Sequence, residues 1–146
     1  MFIKTLSEIL LFIIFGWPNL GAAAALLQIS DTISTSKPNT DSNHTLSFIT
    51  SNTVPASGKI IITPQAGVFN IPSLLNHTDI DLLVNGVNKT LDAIAGSGSG
   101  SAIGVSVVTG SSGSITFILN NADAVSAGST ILVKIGTNAA SQFAGD

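Results

Sequence analysis

From Thr45 onward the chain repeatedly alternates apolar and polar residues with a period of two. Leu46 and Phe48 share one side of Thr45-Leu46-Ser47-Phe48. Ile80, Leu82 and Val84 alternate with Asp79, Asp81 and Leu83, and Ile103, Val105 and Val107 with Gly104 and Ser106. Ile115, Phe117 and Leu119 alternate with Ser114, Thr116 and Ile118, and Ile131, Val133 and Ile135 with Thr130, Leu132 and Lys134. Successive side chains of a strand point to opposite faces, so each run offers one apolar face to a core and one to its surroundings. Lys59-Ile60-Ile61-Ile62-Thr63 adds a β-branched run, ended by Pro64, which has no N–H to give to a ladder.

Turn chemistry falls between these runs. Asn85-Gly86 tolerates positive φ at both positions and predicts a type I′ hairpin between Asp79–Val84 and Val87–Leu91. Ser111-Ser112-Gly113 predicts a second hairpin, between Val105–Thr109 and Ser114–Leu119. Ala56-Ser57-Gly58 and Ala127-Gly128-Ser129 each precede a strand, and residues 96–101, an alternation of Gly and Ser, read as a flexible loop. No apolar pattern of period 3.6 and helical length follows residue 25. Short turns of helix are expected at Pro72-Ser73-Leu74-Leu75 and near Ala122-Asp123-Ala124. Seven or eight short strands with turns at near-regular spacing predict an all-β fold, an antiparallel β-sandwich over residues 26–146. With no Cys, no Tyr and few Phe, its core is built from Ile, Leu and Val, each contributing roughly 1.5–3 kcal/mol on burial.

The first 25 residues differ in kind. Lys4 is followed by the apolar run Ile9-Leu10-Leu11-Phe12-Ile13-Ile14-Phe15, a break at Pro18 and Gly21, and the small residues Ala22-Ala23-Ala24-Ala25. That order predicts a signal peptide over 1–25 with cleavage at an A-x-A site. The run is shorter than the ~20 residues that cross a bilayer. The alternative is an uncleaved anchor helix reaching Leu27, the one part of the chain then expected to touch a membrane. Thr5–Leu11, with Glu8, also resembles the start of a type IV pilin. Ile3 stands where pilins carry Gly, and Gly16-Trp17-Pro18 interrupts the long helix a pilin needs. Setting residues 1–25 aside removes the only Trp and the only Glu. A secreted or cell-surface chain without Cys fits a prokaryotic envelope better than a disulfide-stapled eukaryotic domain.

The order of blocks carries a resemblance. A first strand, Leu27–Ile33, is followed by Asn43-His44-Thr45-Leu46-Ser47-Phe48-Ile49-Thr50 and Val54-Pro55-Ala56-Ser57-Gly58-Lys59-Ile60-Ile61-Ile62-Thr63-Pro64. Asp79–Gly86 and Ser126–Ile135 come later. Across residues 27–136 this resembles the Ig-like or fibronectin-III-like β-sandwich modules of large prokaryotic envelope proteins. The resemblance implies an antiparallel Ig-like sandwich with a structural or adhesive role at the cell envelope. Its partners would be other envelope proteins or surface glycans. In such modules another strand often follows the block that ends here at Ile135. The sequence stops soon after, at Gln142–Asp146, so either the domain closes with fewer strands or the reading frame is a fragment with an unpaired sheet edge.

Little in the chain points to catalysis. The two imidazoles, His44 and His77, each sit in an Asn-His-Thr triplet, and no spacing places either between a nucleophile and a carboxylate. There is no GxSxG and no HExxH, and no Glu beyond residue 25, which excludes paired-Glu glycosidase chemistry. No enzymatic activity, cofactor or metal is expected. Asp79 and Asp81 share a strand face, and Asp31, Asp41 and Asp123 lie near turns, but no D-x-D-x-D-G calcium loop occurs. The Asp79/Asp81 face is expected to be solvated. Asn43, Asn76 and Asn88 head N-x-[ST] triplets, which arise readily by chance in an Asn/Thr-rich chain. A net charge of −3 with five Lys and no Arg argues against nucleic acid. A carbohydrate-binding module of a secreted system is the main alternative, though Trp and Tyr platforms are absent after residue 25. Phe48 and Phe117 fall on apolar strand faces and are expected in the core, while Phe69 and Phe143 lie outside the clear strands. A pilin-like filament subunit is the remaining alternative.

Overall fold

The computed structural model describes residues 26–96 and 102–139. The proposed signal or anchor helix, most of the Gly/Ser loop and Phe143 lie outside them. The described residues form nine strands and one short 3-10 turn, His77–Asp79. The strands are β1 (Leu27–Ile33), β2 (His44–Ile49), β3 (Lys59–Ile62), β4 (Ile80–Val84), β5 (Val87–Asn88), β6 (Leu91–Asp92), β7 (Ile103–Val108), β8 (Ser114–Ile118) and β9 (Thr130–Ile135). One sheet has the order β1-β2-β9-β4-β5 and the other β3-β8-β7-β6.

The period-two pattern does what it predicts. Ile80, Leu82, Ile131 and Val133 from the five-stranded sheet and Ile103, Ile115 and Phe117 from the four-stranded one are all buried in a single hydrophobic cluster. Phe48 and Phe117 lie in it, as expected. The fold is all-β, two sheets sharing one core.

Asn85 (φ 52) and Gly86 (φ 79) form the expected two-residue hairpin, with Val84 opposite Val87. A Cβ added at Gly86 meets nothing within 4 Å, so the only cost of a side chain there is the left-handed backbone. Gly86→Ala is expected to lower stability by about 1 kcal/mol, read as a lower urea midpoint at unchanged slope.

Several expectations are corrected. The segment Val87–Leu91 is not one strand. Lys89 still donates to the Leu82 carbonyl, but Thr90 accepts from Ile103, so the chain leaves one sheet for the other between Lys89 and Leu91. The strand count is therefore nine, above the seven or eight expected. The sandwich is not wholly antiparallel, because β6 pairs β7 in parallel. Such a pairing cannot be closed by a tight turn. Pro72–Leu75 is a turn closed by Leu75 N–H on the Pro72 carbonyl, and the 3-10 turn comes after it. Asn76 displaces it: its side chain accepts from Thr78 N–H while the Asp79 carboxylate accepts from Asn76 N–H, a reciprocal cap. Near Ala122 there is a bend without helix, because Asn120 Oδ1 takes the N–H groups of both Ala122 and Asp123.

Two sheet-crossing loops are stitched together. Val54 and Val125 form an isolated bridge. Beside it, buried Thr50 donates its hydroxyl to the Ser126 carbonyl at 2.8 Å and accepts from Ser129 N–H at 3.1 Å. Because these bonds satisfy the buried polar atoms, the β2–β3 and β8–β9 crossings leave the core together.

Candidate functional site

The five-stranded sheet has one strand more than its partner, and β1 lies at its edge. Among the described residues β1 pairs only with β2, and all seven of its residues are exposed. Asp31 stands opposite Leu46 and Ile33 opposite His44, so these side chains share the core-facing side of the sheet with Leu46 and Phe48. Ile29 (65% exposed) and Ile33 (37%) thus lie on or beside an apolar face left uncovered. A residue is inserted between Leu27 and Ser30, where Gln28 takes φ 52. This bulge turns the first half of β1 away from regular pairing.

On that same face the fold builds one polar cluster. His44 Nδ1 lies 2.9 Å from Asp31 Oδ2, both side chains partly exposed. The Phe69 ring meets the His44 ring edge-on at 5.3 Å, with the planes at 83°. A carboxylate, an imidazole and a half-exposed aromatic ring therefore line the open side of the sandwich. Bonding to Asp31 through Nδ1 fixes how the imidazole is oriented. Asp31 lies within the expected first strand, Leu27–Ile33, and only the β1–β2 register brings it to His44. The register is the signal that could have found them: once Leu27–Ile33 and His44–Ile49 are paired as a hairpin, both side chains fall on one face.

The other candidates are dispersed. His77 begins the 3-10 turn and Asp79 caps it. Asp81 does not lie on a solvated face, contrary to expectation: it is 1% exposed. Its strand is interior to the sheet, between β9 and β5, and its cross-strand neighbour is Lys134. Asp123 accepts from the Asn120 amide at 2.9 Å. Among the described residues no group of three or more His, Cys, Asp or Glu is placed to hold a metal ion. No helix among them is long and apolar enough to cross a membrane.

Two of the three sequon asparagines, Asn43 and Asn76, have structural tasks. Asn43 binds Thr137 twice, Nδ2 to Oγ1 at 2.8 Å and Oδ1 from the backbone N–H at 3.0 Å, tying the end of β9 to the start of β2. Asn76 donates to the Leu74 carbonyl and caps the 3-10 turn. Both amide nitrogens are thus engaged in the folded chain.

A cleft of about 330 Å³ at the opposite end of β8 is lined by Ser57, Ala95, Gly96, Ile118, Asn120 and Asn121, among others, with no titratable side chain. It offers no acid, base or charged ligand group. No family model, no curated protein and no solved structure matches this chain.

Proposed function

We propose that the chain is an exported, non-enzymatic β-sandwich module with a structural or adhesive role at the cell envelope. The observation that carries this reading is the order of its parts. An apolar leader and four alanines end at Ala25, and the first strand of a Cys-free sandwich begins at Leu27. The polar side chains support it, because most of those with partners hold the scaffold: Thr50 and Asn120 organise loops, Asn43 joins strand ends, and Asn76 caps a turn.

In its two-layer construction the module is like the Ig-like and fibronectin-III-like modules of prokaryotic envelope proteins. One difference in strand order stands beside that likeness. In an Ig domain the strand between the second and fourth follows the fourth directly. Here that place belongs to β9, after the β7–β8 hairpin.

Surface biotinylation of intact cells, with N-terminal sequencing of the labelled protein, tests the address. Labelled protein beginning near Leu26 is the expected result. Protein found only in the cytosol, with residues 1–25 still attached, overturns it.

The Phe69–His44–Asp31 cluster favours a second reading, a carbohydrate-binding module. Exposed aromatic rings pack against sugar C–H faces while neighbouring carboxylate and imidazole groups bond hydroxyls. Saturable glycan-array binding that Phe69→Ala abolishes would select this reading over a purely structural one.

A further inference from the structure

We infer that β1 is a self-association edge, on which a second copy of this chain pairs antiparallel through a two-fold axis at Thr32. This goes beyond the proposed export and adhesion, and holds or fails independently of both.

An unpaired edge strand templates another strand unless it is guarded by a charge, a proline or brevity. The other outer strands are guarded. β5 and β6 have two residues each, and β3 has four, starts with Lys59 and is followed within two residues by Pro64. β1 has seven residues, with neither Lys nor Pro. Its guards are the bulge at Gln28, which leaves Ser30 onward regular, and Asp31, whose carboxylate is held against His44 of its own chain.

The hydrogen-bond phase of that regular part can be read. Ser34 N–H bonds the Asn43 carbonyl, continuing the register in which Thr32 faces Thr45 and Ser30 faces Ser47. In an antiparallel ladder bonded and non-bonded pairs alternate, so Ser30, Thr32 and Ser34 turn their main-chain groups toward β2. The far side of β2 agrees: Thr50 N–H bonds Ser129 of the β9 side, which assigns the even-numbered residues of β2 to β9 and the odd to β1. The main-chain N–H and C=O of Asp31 and Ile33 therefore point out of the free edge.

Only certain registers suit two copies. An axis at Asp31 sets two carboxylates opposite each other, and an axis at Ser30 draws the bulge into the ladder. An axis at Thr32 sets Asp31 against the partner's Ile33, and Ile33 against the partner's Asp31. Each of these pairs exchanges two main-chain hydrogen bonds from groups already pointing outward. Thr32 then faces its own copy in a non-bonded pair, with Cα atoms about 4.5 Å apart, and Ser30 faces the partner's Ser34 likewise. Thr–Thr is a favourable cross-strand pair. The two Asp31 carboxylates are diagonal neighbours, about 7–8 Å apart rather than directly opposite, and each is held against His44 of its own chain. The two five-stranded sheets become one, with an isologous, closed interface.

The absence of Cys makes the test clean. A Cα separation of about 4.5 Å accommodates a disulfide. In full-length protein, Thr32→Cys is expected to cross-link to itself about tenfold faster, or more, than Ser112→Cys on the exposed β7–β8 turn, because pairing raises the effective thiol concentration. Ser30→Cys mixed with Ser34→Cys is expected to cross-link faster than either alone, which reads the register. Sedimentation of the wild type is expected to show a concentration-dependent dimer that Thr32→Lys, placing two ammonium groups at the axis, returns to monomer. A wild type that stays monomeric, a dimer that survives Thr32→Lys, or Thr32→Cys cross-linking no faster than Ser112→Cys overturns the inference.

Discussion

Phe117→Ala is expected to remove about 3–5 kcal/mol of stability, enough to leave a small domain largely unfolded at its working temperature. Phe117 is fully buried at the centre of β8, with Ile60 of β3 opposite it on one side and Val105 of β7 on the other. Neighbours on both sides belong to paired strands, so they cannot move inward to fill the space without breaking ladder bonds. The cost is thus the lost burial plus most of a ring-sized cavity. Urea unfolding should show a much lower midpoint. Phe69→Ala is the internal contrast, since that ring is 39% exposed and its loss should cost far less. Equal losses for the two would show that the core is not where these strands place it.

Gly113→Ala is expected to destabilise by about 1–3 kcal/mol for an opposite reason, too much atom rather than too little. An ideal Cβ at Gly113 would lie 2.2 Å from the Val108 carbonyl oxygen and 3.0 Å from that of Gly110. Both obstacles are backbone, and Val108 pairs with Ser114 at the base of the β7–β8 hairpin. The hairpin must open for the methyl group to fit. Ser112→Ala, one residue earlier in the same turn, is exposed and should leave the melting temperature unchanged. A Gly113→Ala melting curve matching wild type would rule out this close approach. Gly113 and Gly86 thus differ in kind: one is required by space, the other by its backbone angle.

The outcomes follow a pattern. Every strand expected from alternation is present, and β1 has the bounds expected of it, Leu27–Ile33. Both hairpins form where Asn85-Gly86 and Ser111-Ser112-Gly113 place them. What failed depended on distant chain or on a single side-chain cap nearby. Val87–Leu91 reads as one strand by composition, yet it is divided because Leu82 holds one half and Ile103 the other. Asp81 alternates outward as its position requires, but an interior strand does not make an outward face wet. Pro72–Leu75 carries helix-compatible residues, and the cap at Asn76 moved the helical turn past them.

The candidate site was less legible than the fold. The Asp31–His44 contact joins residues thirteen apart on neighbouring strands, and Phe69 arrives from a loop beyond β3. Nothing local marks these as partners.

By itself the sequence determined which segments are strands, which face of each is apolar, where the tight turns fall, and that the core is aliphatic. These properties are set by a residue and its near neighbours: alternation places side chains by turns on the two faces of a pleat, and positive φ selects Asn and Gly. Only the tertiary structure decided which strands are neighbours, that β9 lies between β2 and β4, that β6 runs parallel to β7, and that β1 is the outermost of the described strands in its sheet. Strand pairing is a contest among backbone groups that are chemically alike in every strand. It is won by the arrangement that buries the apolar faces together, and that depends on all the strands at once.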